Sequence, residues 1–326
     1  MTPRSGRRRR SPSATSWSDA GPAVFFLSDY GTVDEFVGVV HAVVHRLAPG
    51  LAVIDLSHRI PPFDIGAGSA MVVRSAPFLG AGVVLAVVDP GVGTGRRGVA
   101  IETGGPDTAP RWLVGPDNGL LAAGAAVLGG AIRAISLHAR PSTFDGRDVF
   151  APAAAHLATG GDPGALGTEV DPGGLMSPPG SPGGGPVVVA GAWGPELVAS
   201  VVWIDRFGNV QLDCGPGHLD ALGIAIGDTA WVAVAATTDG LLPVRRVEAF
   251  GRLGAGALGL MVDANRRIAL VMDRASAAER IGLTGAGPGT GGPGQAAPTQ
   301  PGGALRQVRI IGAPPPWSRT GAAEPG

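Results

Sequence analysis

A single change of hydrophobic period limits what this chain of 326 residues can fold into. From Ala23 to Thr159, short apolar runs alternate with segments whose apolar residues recur at helical spacing. Beyond Gly185 the helical period nearly vanishes and short strand-like runs remain. The first region reads as strands at 23–27, 52–56, 83–89, 99–102, 112–114 and 132–137, with helices at 34–47, 66–75, 118–128 and 150–159. In the helix starting at Asp34, the residues Phe36, Val37, Val40, Val43, Val44 and Leu47 share one face, and Pro49-Gly50 stops it. Such alternation predicts an α/β domain with a mainly parallel sheet. The second region reads as strands at 187–190, 197–204, 209–213, 230–234, 244–249, 258–262, 268–272 and 305–311, an all-β, barrel-like domain. The expected organisation is a tail at 1–21, an α/β domain at 22–165, a Gly/Pro linker at 166–185, a β-barrel domain at 186–312 with a flexible insert at 282–303, and a tail at 313–326.

Composition narrows the function classes. The 55 Gly and 30 Pro approach low-complexity levels, but the apolar share of 44% keeps that character local. The sequence contains no lysine, so all 25 basic residues are arginine. Schiff-base chemistry and the lysine-dependent phosphate sites of kinases and Walker-type ATPases are thereby excluded. One cysteine, Cys214, rules out internal disulfides and cysteine-based zinc sites. A net charge of -1 makes no case for a nucleic-acid partner. No run of 18 apolar residues is present, and the Arg- and Ser-rich start has no signal-peptide core. The expected setting is the cytoplasm, without a membrane span.

Polar residues gather where α/β sheets hold their ligands, at strand ends. These segments are SDYGTVDEFVG (28–38), DPGVGTGRR (89–97), PDNGL (116–120) and STFDGRDVF (142–150), with IDRFGNV (204–210) in the β region. His41 and His45 stand four apart on a helix, a spacing that suits a metal, but no third ligand is apparent beside them. A solvated helix edge is the expectation for that pair.

Taken in order, VVDPGVGTGRR, VGPDNGL, STFDGRDVFAPAAAHLATG and ASAAERIG resemble the S-adenosyl-L-methionine hydroxide adenosyltransferase family, which is related to the fluorinase and chlorinase. The resemblance runs from about Phe25 to Arg280. It implies the same α/β and β-barrel domains and a homotrimer with its active site between subunits. It also implies hydrolysis of S-adenosyl-L-methionine (SAM) to adenosine and L-methionine by water or hydroxide attacking the ribose 5′-carbon. No metal and no cofactor is expected, SAM and adenosine being substrate and product.

The resemblance also assigns residues. Asp89 and Arg96 match two members of an Asp–Arg–His group that activates water. Asp29 matches the acid that holds both ribose hydroxyls, with a turn residue at the helix start as the alternative. Asp34 is placed at the methionine part of the substrate, or else at the N-cap of the following helix. Phe63 falls where relatives set an aromatic ring against the substrate, or else packs in the core. Asn118 shapes a turn close to the ligand, and Asp205 and Asn209 hold the methionine ammonium and an adenine edge. An Asn-Ser pair of the relatives is here Asp263-Ala264. The largest departure is Asp145, which stands where relatives read histidine in TFHGRD and becomes the third catalytic position. Arg96 and Arg147 are then the cations that offset two nearby carboxylates. Gly146 aligns with the serine that holds halide in the fluorinase, which makes a halogenase the weaker alternative. A SAM-binding protein without turnover is the other alternative.

Overall fold

The computed structural model describes residues 21–104, 111–138, 142–177, 185–234, 240–283 and 307–312. β1 (Ala23–Ser28) is buried at every position, as a strand must be when helices cover both faces of its sheet. Its pleat sends Val24 and Phe26 to one face and Ala23, Phe25 and Leu27 to the other. Around it lie β2 (Ala52–Ser57), β3 (Gly82–Val87), β4 (Gly98–Thr103), β5 (Arg111–Pro116), β6 (Ala131–Leu137) and β7 (Gly167–Val170), in the order β2-β1-β3-β5-β4-β6-β7. β2, β1, β3 and β5 pair in parallel, and β4, β6 and β7 extend the sheet through antiparallel pairs.

Two helical layers enclose this sheet. α1 (Phe36–Leu47) and α4 (Ala151–Ala158) pack with Phe26, Leu85 and Phe150 on one face. The alanines of α4 let its backbone approach β3 closely. α2 (Ile65–Ser75) and α3 (Ala122–Val127) cover Phe25, Leu27 and Leu113 on the other face. Asp64 starts α2 by accepting the Ala67 N–H at 2.8 Å, an N-cap that satisfies one orphan donor.

The C-terminal part closes a ring. β9 (Gly194–Ile204), β10 (Val210–Leu212), β14 (Ile268–Met272), β13 (Leu258–Val262), β12 (Leu242–Arg246), β11 (Thr229–Val234) and β15 (Gln307–Ile311) pair in that order, and β15 returns to β9. The result is a seven-stranded barrel, with β8 (Val187–Gly191) added to β9 as a hairpin. Leu197, Val201, Leu212, Leu260 and Leu270 fill it. Short helices α5 (Pro216–Ala221) and α6 (Ala277–Arg280) cover its ends. Trp203 on β9 belongs to the apolar cluster of the α/β domain, and the Arg74 guanidinium of α2 lies 4.3 Å above its ring. Burial brings the Arg74 pKa down to about 10, against the opposing pull of Asp263 and Asp205.

Both expected architectures are present. Some boundaries shift for physical reasons. α1 begins at Phe36 with Glu35 as its N-cap and no side-chain cap, so Asp34 is not the capping residue. The helix expected from Asn118 starts at Ala122, because Asn118 is used in a turn. β7 lies inside the stretch expected as linker, where TEV offers too few apolar residues to announce an edge strand. The tails at 1–20 and 313–326 and most of the insert at 282–303 lie outside the described residues. Among the described residues, no helix is long and apolar enough to cross a membrane.

Candidate active site

β1, β3 and β5 run the same way, so their carboxyl ends deliver Asp29, Asp89 and Asn118 to one edge of the sheet. Asn118 ties two of these ends together. Its Nδ2 donates to Val88 O at 2.9 Å, one residue before Asp89, while its Oδ1 accepts the Leu120 N–H at 3.2 Å. That is the turn-shaping role expected of it.

Arg96, at the far side of the glycine loop after β3, reaches back to Asp89 with two hydrogen bonds, one of them from Nε at 3.0 Å. The same guanidinium donates from Nη2 to Asp145 Oδ2 at 2.8 Å. Two carboxylates therefore share one arginine, and the side chains of all three are only 6–11% exposed. Burial raises the Asp89 pKa above the ordinary carboxylate range, Asp145 adds to the rise, and Arg96 opposes it. Asp145 leads into a single π-helical turn, Gly146–Phe150, which continues as α4. Turns of this kind concentrate at functional sites because they displace one residue out of the regular helix. Arg147 takes no part in the triad. It pairs with its neighbour Asp148 at 2.6 Å, which together with Ser142 holds the Asp148 pKa down to about 2.

Asp29 and Phe63 are brought together. Asp29 Oδ2 accepts the Phe63 N–H at 2.9 Å. Phe63 has a φ of 67°, a left-handed conformation that costs an L-residue energy and persists only where surroundings impose it. The residue is 70% exposed, so it does not pack in the core. Burial raises the Asp29 pKa, partly offset by the Phe63 hydrogen bond. Asp34 is exposed, and its carboxylate makes no hydrogen bond among the described residues.

In the barrel domain, Asp205 and Asn209 hold each other. Asp205 Oδ1 accepts the Phe207 and Asn209 N–H groups at 2.8 and 3.0 Å, and Asn209 Nδ2 donates to Asp205 Oδ2 at 2.7 Å. Asp263 likewise closes a turn, accepting the N–H groups of Asn265 and Arg267 at 2.8 and 2.9 Å. Among the described residues, no hydrogen bond or ion pair joins the Asp205–Asn209 turn to Asp29, Asp89 or Asp145.

One site residue escaped the sequence reasoning. Tyr30, the chain's single tyrosine, follows Asp29 directly. Its ring stands against Phe36 and Phe144, with centroids 5.7 and 5.5 Å away. Burial and then the charges of Asp29, Asp89 and Asp145 push its pKa well above the usual phenol value, so the phenol stays protonated. The available signal was an isolated tyrosine beside a strand-end acid. A Cβ placed on Gly146 would lie 2.1 Å from Tyr30 Oη and 3.2 Å from Phe144 Cε2. The phenol thus occupies the space that a serine at 146 would need. Gly146→Ser is expected to overpack this corner and lower Tm by several degrees, at a cost of about 1–3 kcal/mol. Adding Tyr30→Phe should recover part of that loss in a thermal scan. A single variant as stable as wild type would show that the corner yields freely.

Residues 24–167 match the family description SAM hydroxide adenosyltransferase N-terminal domain, and residues 199–288 match its C-terminal domain. An (R)-S-adenosyl-L-methionine hydrolase of Salinispora tropica is 39% identical over 270 residues, covering 81% of this chain and 95% of its own. A fluorinase of Nocardia brasiliensis is 25% identical over 261 residues, 70% of this chain and 82% of its own. An uncharacterized conserved protein from Thermotoga maritima, known as a crystal structure, has a TM-score of 0.72 at 25% identity and covers 88% of this chain and 100% of its own.

Proposed function

The chain belongs to the SAM hydroxide adenosyltransferase family, and from that premise we propose that it hydrolyses SAM to adenosine and L-methionine. In this reaction a water oxygen forms a bond to the ribose 5′-carbon as the bond from that carbon to sulfur breaks. The electron pair stays on sulfur, so methionine leaves as a neutral thioether and needs no acid. The water's proton is the one group that must be accepted. Asp89 and Asp145 take it, and Arg96 orients both carboxylates and stabilises the developing hydroxide. Asp29 binds the ribose diol, which needs the two acceptor oxygens that a carboxylate supplies. Neither metal nor cofactor enters these steps.

The observation that carries this reading is the buried Asp89–Arg96–Asp145 triad, whose Asp89 follows β3 at the same edge of the sheet where Asp29 follows the adjacent parallel β1. Among the described residues no hydrogen bond or ion pair links the Asp205–Asn209 turn to that cluster, and Phe63 and Phe207 are both largely exposed. These features support a homotrimer in which the barrel turn of one subunit completes the triad site of the next, with Asn118 and Asp34 at its border. The proposed setting is the cytoplasm, in keeping with one buried cysteine.

Incubation with SAM and chromatography of the products tests the reaction. Adenosine and methionine in equal amounts are expected. Binding without product would leave a SAM-binding protein, and a halide-dependent 5′-halo product would mark a halogenase. The phenol of Tyr30 standing where a halide-binding serine would project argues against the last.

The carboxylate pair makes a pH prediction. Asp89 acts as a base only when ionised, and burial with Asp145 nearby raises its pKa. Turnover should therefore climb as pH rises through that value and then level. Asp145→His removes one negative charge from the pair, which should move the rise to lower pH and increase turnover several-fold at neutral pH. A profile with its midpoint unmoved by Asp145→His would remove Asp145 from the water-activating group.

A further inference from the structure

Behind the ribose-binding loop, on the α1 side of the sheet, three metal-competent side chains converge. His41 comes from α1, Asp55 from β2, and His58 from the turn just after β2. The ligand-capable atoms of all three lie within 4.8 Å of one another. His41 Nε2 is 2.8 Å and His58 Nε2 is 3.0 Å from the same oxygen, Asp55 Oδ1. His45, the helical neighbour of His41, is exposed and stands outside the group.

The decisive member is His58. Its residue is 5% exposed, and its Nε2 is buried without a hydrogen-bond partner even though Asp55 Oδ1 is close. The other ring nitrogen is engaged, with Nδ1 2.8 Å from Ser28 Oγ. In the tautomer whose Nδ1–H donates to Ser28, Nε2 presents a lone pair directly to a carboxylate oxygen. Two electron-rich atoms 3.0 Å apart, one on the buried His58 ring and one on the half-open Asp55 carboxylate, attract a cation between them. A hydroxyl or carbonyl partner on the far nitrogen is also what orients most metal-bound histidines. His41 and Asp55 are partly open to solvent, with side chains 35% and 41% exposed, which gives an ion a route in and leaves room for a water ligand.

We propose that His41, Asp55 and His58 form a binding site for a borderline divalent metal ion, zinc above all, separate from the water-activating triad. Two imidazoles and one carboxylate suit zinc, with a solvent ligand in the fourth position. Zinc bonds of about 2.0–2.2 Å set tetrahedral ligands roughly 3.3–3.5 Å apart, so the trio opens by a few tenths of an ångström when metal replaces protons. His41, on an exposed helix edge, is free to make that adjustment while His58 stays fixed by Ser28.

The placement gives the ion a structural consequence. Gly31 N–H donates to His58 O at 2.7 Å, and Tyr30 N–H donates to Ser28 Oγ at 3.3 Å. A metal that locks His58 therefore also stiffens residues 28–31, which carry Asp29 and Tyr30. It holds the loop and does not touch the reacting atoms.

The test uses full-length protein stripped with a chelator and titrated with zinc alone by calorimetry, with metal content measured after dialysis. One zinc per chain, micromolar or tighter affinity, and a zinc-dependent rise in Tm are expected. His41→Ala and Asp55→Asn should each weaken binding by about tenfold or more, whereas His45→Ala should leave it unchanged. Neither His41 nor Asp55 lies in the core, so both variants should fold, which circular dichroism checks before titration. Failure of wild type to bind zinc saturably, or affinity unchanged in folded His41→Ala, would overturn the proposal.

Discussion

Arg96→Ala is expected to lower SAM turnover by about a hundredfold or more, the range spanned by losing a group that supports proton transfer. SAM affinity should stay within a few-fold of wild type, because Arg96 faces the water and not the ribose. The same change should destabilise the fold. Asp89 and Asp145 lose the guanidinium they share and are left as unpaired, largely buried carboxylates, which costs about 3–5 kcal/mol. The sign with pH follows from linkage. Without Arg96 the folded-state pKa of Asp89 rises further above its unfolded value. Relative to wild type, the deficit from Asp89 is smallest in acid, where the carboxyl is protonated in both proteins, grows as pH climbs from the raised wild-type pKa to the still higher pKa of the variant, and is constant above it. Urea melts at acid and neutral pH read this directly. A variant with wild-type rate, or one equally destabilised at every pH, would place Arg96 outside the role assigned to it.

How much of this was legible from residues alone depends on the range of the interaction. Buried strands announce themselves locally, so β1 with its run AVFFLS and β3 with GVVLAV were readable, as was the loss of helical period before the barrel. Motif order placed Asp29, Asp89, Arg96 and Asp145 in one neighbourhood, and the hydrogen bonds join Asp89, Arg96 and Asp145 to one another. What stayed hidden depends on chain segments that meet only in three dimensions. Tyr30 has no periodic signal, and its contact with Gly146 exists because the end of β1 faces the π-helical turn that precedes α4. The His41 and His45 spacing was visible on the helix, but the groups that actually join His41, Asp55 and His58, come from β2 and the turn after it, a different layer of the domain. Arg147 illustrates the opposite error. Adjacency in sequence to Asp145 made it a plausible counter-charge, yet helical geometry turns it outward to Asp148. β7 was missed because pairing with β6, and not its own composition, makes it a strand.

Asp29→Ala is the second large effect, and it is expected in binding more than in chemistry. SAM and adenosine both carry the ribose diol, so both should weaken together. Losing two hydrogen bonds to a charged acceptor costs on the order of 2–4 kcal/mol, which is about thirty- to a thousand-fold in Kd. A second contribution comes from Phe63. Its N–H donates to Asp29 Oδ2, and its left-handed backbone is held in part by that bond. Alanine releases the strained turn, letting the exposed ring swing away from the position it holds beside Asp29. Asp29→Asn separates the two contributions. The amide oxygen can still accept the Phe63 N–H, so the turn stays in place while the charge and one acceptor for the diol are lost. Calorimetry with adenosine should then rank the proteins wild type, Asp29→Asn, Asp29→Ala in falling affinity. Methionine alone, which lacks the ribose, should bind all three equally. If adenosine affinity is the same in wild type and Asp29→Ala, Asp29 serves only to brace Phe63, and the ribose must be held by other groups at the strand ends.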